Sequence, residues 1–95
     1  MLLRKPLLGG LAKQIPAQQA WRDWLREVVS PELAPHIVNA VPKAVGSAPG
    51  SLELVVLADS PAWCARLRYA IAALEPRITA RDAAVQRTRV RVSMG

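Results

Sequence analysis

Three arginines, Arg87, Arg89 and Arg91, alternate with Thr88, Val90 and Val92 near the end of the chain. In a strand, that alternation puts all three guanidinium groups on one face, about 6–7 Å apart, close to the spacing of successive phosphates along a nucleic-acid strand. Arg66, Arg68 and Arg77 come shortly before them. Each guanidinium presents a planar fork of donors that matches phosphate or carboxylate better than an ammonium does. From Ser60 to Gly95 seven arginines stand against Glu75 and Asp82 alone, a local charge of +5. The chemistry on offer is anion binding, toward nucleic acid or an acidic protein face. The same row would also serve as protective charge on an edge strand.

Other chemistries find less support. His36 is the single histidine and has no neighbours at metal-ligand or dyad spacing. It reads as a surface or strand-entry residue. Cys64, the single cysteine, adjoins Trp63 on a helical stripe and reads as a buried, inert thiol. The acids are scattered, with no pair placed for general acid and base work. Gly46 to Gly50 lacks the Lys and Ser/Thr that complete a phosphate loop. No enzymatic activity, catalytic residue, metal or cofactor is therefore expected. The three tryptophans could stack on bases, but the helical spacing of Trp21 and Trp63 places both in the core.

The elements that would hold these residues follow from periodicity. Residues 1–14 read as a flexible N-terminal arm, jointed at Gly9-Gly10 and fenced by Pro6 and Pro16. Residues 15–95 read as one domain. A helix over 17–29 carries Trp21, Trp24, Leu25, Val28 and Val29 on one stripe. Ser30-Pro31-Glu32 opens a short helical turn that Pro35 closes. A strand over 36–45 contains Pro42, which assigns it to an edge or a bulge. A turn over 46–50 leads to the apolar strand 52–58, expected at the centre of the sheet. Asp59-Ser60-Pro61 caps a helix bearing Trp63, Leu67, Ala70, Ile71 and Leu74, and Pro76 breaks it. A second, weaker helix over 77–84 and a strand over 86–92 complete an α-β-β-α-α-β order. The fold class is α+β, with a three-stranded sheet and its helices on one face. The expected core is Trp21, Trp24, Leu25, Val28, Leu54, Val56, Trp63, Leu67, Ile71, Val90 and Val92.

Composition agrees with one small domain. The chain has 95 residues, 52% hydrophobic, with no Phe, so Trp and Tyr must supply the large packing surfaces. Thirteen Lys and Arg against seven Asp and Glu give a net charge of +6. One cysteine excludes an internal disulfide and suits a reducing compartment. Arg4, Lys5 and Pro6 interrupt the apolar start, so it does not read as a signal peptide, and no run approaches the length of a membrane span. A soluble, cytoplasmic protein is the expectation.

Four segments resemble a known family. They are Trp24-Leu25-Arg26-Glu27-Val28-Val29 running on through Ser30-Pro31-Glu32-Leu33-Ala34-Pro35-His36, the strand Gly50-Ser51-Leu52-Glu53-Leu54-Val55-Val56, the stretch from Asp59-Ser60-Pro61-Ala62-Trp63 to Leu67-Arg68-Tyr69, and the closing Arg87-Thr88-Arg89-Val90-Arg91-Val92. In this order, over about residues 10–93, they resemble the DciA family of bacterial proteins. The resemblance implies a K-homology-like domain of type II, and a non-enzymatic, nucleoid-associated accessory of DNA replication. Such a protein would bind single-stranded or tailed DNA and assist loading of the replicative helicase DnaB. The Gly-x-x-Gly loop of RNA-gripping K-homology domains has no counterpart, since that junction is Leu74-Glu75-Pro76-Arg77. Two other readings stay open: a protein-interaction module that docks an acidic partner through the Arg-rich face, and an RNA-binding protein.

Overall fold

Leu, Ala, Lys and Gln, all good helix formers, fill much of the chain before Trp21. In the computed structural model, which describes the backbone of residues 5–46 and 50–93 and side chains from Ala17 onward, they extend the first helix, α1, over Lys5–Val28. The helix therefore covers most of the stretch expected to be an arm. Pro6 lies in the first turn, where its missing N–H costs no hydrogen bond, and Pro16 forfeits only one in the interior. Trp21, Leu25 and Val29, at i, i+4 and i+8, are buried, with Trp24 and Val28 packed beside them.

Ser30-Pro31 ends the helical run. Pro35 does not close the short turn that follows but lies inside a single 3-10 turn, Ala34–His36. The strand β1 (Ile37–Ala44) then pairs antiparallel with β2 (Leu52–Ala58). Gly50, at φ +80°, takes the left-handed conformation that the connecting turn requires. The register slips between Ile37 and Asn39, a bulge that interrupts the ladder there. Arg26 of α1 donates two hydrogen bonds to the Ile37 carbonyl, at 2.7 and 3.2 Å, and so pins the last turn of the helix to the start of the sheet.

Ser60 caps the helix α2 (Pro61–Arg81), its hydroxyl accepting the Trp63 N–H at 3.4 Å, with Pro61 in the first turn. A break at Pro76 and a separate helix over 77–84 were expected; α2 instead runs unbroken through Pro76. The ring lies on the exposed side, and the Ala72 carbonyl it leaves without a helical partner belongs to an exposed residue. Two residues on, Ile78 is fully buried, so tertiary packing carries the helix past its weak point. The described elements thus run α-β-β-α-β, with one helix where the K-homology order calls for two.

Strand β3 (Val85–Val92) lies parallel to β2, giving a mixed sheet of order β1-β2-β3. The apolar β2 is central and the proline-bearing β1 is an edge, as expected. Both helices pack on one face. Trp21, Leu25, Cys64, Leu67, Ile71 and Ile78 share a single cluster with Ala40, Leu54, Val56, Val85 and Val90 of the sheet. Full burial of each Leu or Ile contributes about 1.5–3 kcal/mol. Trp63 is the exception among the expected core residues: it is only half-buried and stands outside this cluster. The protein is a small α+β domain, and among the described residues no helix is long and apolar enough to cross a membrane.

Candidate nucleic-acid interface

Among the described residues no helix packs on the second face of the sheet. Alternation places Arg87, Arg89 and Arg91 of β3 on it, as predicted, together with the odd-numbered residues of β2 and part of β1. In register the cross-strand rows read Lys43–Glu53–Arg87, Val41–Val55–Arg89 and Leu57–Arg91. All three arginines and Lys43 are exposed. Val55 is only 7% exposed although it stands apart from the core cluster, because Val41 and Arg89 flank it and long cationic side chains lay their apolar stems along such a surface. A shallow groove of about 270 Å³ runs over Val41, Val55 and Leu57, with Lys43 and Arg91 at its rim.

Glu53 tempers this charge. Its carboxylate lies 3.4 Å from Arg89 Nε and 3.9 Å from Arg87 Nε. Both arginines are more than half exposed, so solvent screens the pairs and their contribution to stability is small. Their effect is to hold two guanidinium groups upright over the central strand. Four cations against one carboxylate leave the face with a net charge of +3.

The remaining predicted arginines go elsewhere. Arg66, Arg68 and Arg77 are exposed, but they stand on α2, which covers the other face. Arg68 reaches toward the Cys64 thiol, with Nη2 3.8 Å from Sγ, and lines a groove of about 340 Å³ between α2 and β3. Ala72, Glu75, Thr88, Arg89 and Val90 complete the lining, so Arg68 and Arg89 border one groove along the edge of the sheet. Arg66 lies over the Trp63 ring at 5.0 Å, away from the row on β3. Tyr69, one turn beyond Arg66, was expected to supply packing surface with the tryptophans, but it is 83% exposed and takes no part in the core cluster.

Sequence reasoning also missed a cluster at the start of the sheet. The His36 ring stacks on Trp63 with centroids 3.7 Å apart and planes 8° from parallel. The Asp59 carboxylate accepts a hydrogen bond from His36 Nδ1 at 2.8 Å, which fixes the tautomer. The pairing of Ile37 with Ala58 brings His36 and Asp59 opposite each other, and Trp63 follows in the first turn of α2. His36 belongs to the first of the motifs quoted above, and Asp59 and Trp63 both belong to the third. The sequence shows only the proximity of Asp59 and Trp63; the approach of His36 depends on the pairing of β1 with β2. With Arg66 over the indole, the cluster forms a rigid half-exposed stack that braces the junctions before β1 and after β2.

No family model, curated protein or solved structure matches the chain.

Proposed function

We propose that this domain binds a single nucleic-acid strand across the open face of its sheet, without turnover, as an accessory of DNA replication of the DciA kind acting beside DnaB. The observation that carries the binding is the row Arg87, Arg89 and Arg91, exposed on one face and in register with an aliphatic centre. Strands about 4.8 Å apart set Lys43 and the arginine row roughly 10 Å from each other, a width suited to one backbone. Phosphates take the guanidinium forks, while bases or sugars lie on Val41 and Leu57. Aliphatic contact and phosphate pairing tolerate any base sequence. Replication and the helicase enter through the motif resemblance, and single-stranded or tailed DNA is the ligand it points to.

The test is fluorescence anisotropy on a labelled oligothymidylate across a salt series. Losing three phosphate contacts in an Arg87/Arg89/Arg91→Gln variant should flatten the slope of log K against log salt by about 2, with the fold retained. Wild-type affinity that does not change between roughly 50 and 200 mM salt would overturn the reading. Tighter binding to an oligoribonucleotide of the same length would move it to RNA.

A further inference from the structure

The two edges of the sheet are unlike. The β1 edge carries Pro42 and a bulge near Asn39, both of which discourage another strand from adding. The β3 edge has neither from Arg87 to Val92, where the register with β2 is unbroken. The Ser93 amide donates to the Ala58 carbonyl at 2.8 Å. In a parallel ladder that bond sets the alternation: Arg89 and Arg91 direct their N–H and C=O groups to β2, and Thr88, Val90 and Val92 direct theirs outward. The Val90 carbonyl meets only the Cys64 thiol, at 3.7 Å, a weak donor.

This edge forms one side of the groove with α2 described above. Ala72 is small and leaves the groove open at its middle, and Arg68 and Arg89 flank it. Thr88 donates to the Glu75 carboxylate at 2.7 Å, which engages the one acid lining the groove.

We propose that this groove takes an extended acidic segment of a partner protein, which adds to β3 as a fourth strand. This goes beyond nucleic-acid binding and uses main-chain groups that the phosphate reading leaves idle. Three residues in alternation offering both donors and acceptors fit a peptide strand. A nucleic-acid backbone carries acceptors and would leave the Thr88 carbonyl unmatched and the Val90 carbonyl with only the weak Cys64 thiol. A second copy of this chain would bring its own Arg87, Arg89 and Arg91 against the same row. Cross-strand like charges disfavour that, whereas Asp or Glu at alternate positions would pair.

Amide hydrogen exchange followed by NMR tests the proposal on the full chain, with a synthetic peptide of about eight residues alternating Glu with Val and Thr as the probe. The peptide should slow exchange at the Thr88, Val90 and Val92 amides and leave Arg89 and Arg91, already bonded to β2, unchanged. Methylating the peptide backbone nitrogens at alternate positions should weaken binding roughly tenfold in one phase of the alternation and little in the other. Binding that is indifferent to methylation and protects no edge amide would overturn the proposal and reduce the contact to charge attraction. Absence of binding would overturn it as well, and so would protection of the same amides by an oligothymidylate in place of the peptide. Because the readout is main-chain protection at the edge, failure of the arginine row to bind DNA leaves this result standing.

Discussion

Glu53 offers the sharpest handle on the open face. It sits between Arg87 and Arg89 and is the one carboxylate on that face among the described residues. A phosphate gripped by either arginine would lie about 7 Å from the carboxylate, where two unit charges repel by roughly 0.6 kcal/mol in water. Glu53→Gln removes that repulsion at almost constant shape. Affinity for a single-stranded oligonucleotide should therefore rise about threefold at low salt, and the gain should shrink as the Debye length falls below ~10 Å. The cost in stability stays below about 1 kcal/mol, since both arginines are largely exposed. Anisotropy titrations of the two proteins at several salt concentrations measure the ratio directly, and a thermal melt checks the fold. Equal or weaker binding by the variant would mean that Glu53 is needed to orient the arginines, or that phosphates bind elsewhere. Either outcome would refute the electrostatic account of this face.

Three further outcomes follow from the packing. Trp63→Ala should cost about 1–2 kcal/mol, since it loses a half-exposed stack on His36, whereas Leu25→Ala at a fully buried site should cost about 2–5 kcal/mol; denaturant melts rank the two. Pro76→Ala should stabilise the domain by about 1–3 kcal/mol by restoring a hydrogen bond inside α2, and a neutral result by thermal melt would indicate a helix already interrupted there. Tyr69→Ala should leave the melting temperature within the range of about ±0.5 kcal/mol typical of surface changes, because its side chain is almost wholly in solvent.

The strands were legible because their side chains obey a period of two. Leu54 and Val56 face the helices, Arg87, Arg89 and Arg91 face away, and Pro42 marks an edge. The Ser60-Pro61 cap was equally plain. Proline was overweighted elsewhere. Pro76 and Pro16 each remove one helical hydrogen bond, but burial of Ile78 beyond the first, and good helix formers before the second, outweigh that loss. Trp63 was misplaced because helical spacing shows which stripe a residue occupies, not how far along the helix the core extends. At the first turn of α2 that stripe meets His36 rather than the sheet interior. The row on β3 could be read in full. The separation of Arg66 and Arg77 from it could not, since that depends on which face α2 covers.

The mixed sheet also bears on how the chain is made. Ala44 and Leu52, paired across the β1–β2 turn, are eight residues apart, and Arg26 reaches the Ile37 carbonyl from just upstream. Val56 and its partner Val90 are 34 residues apart, with the whole of α2 between them. During synthesis α1 and the hairpin can settle early, while the central strand keeps one row of N–H and C=O groups unmatched until β3 has left the ribosome. The charged strand is thus the last of the three to join the sheet. A ribosome paused within α2 would hold a half-built sheet whose exposed apolar strand invites a neighbouring nascent chain.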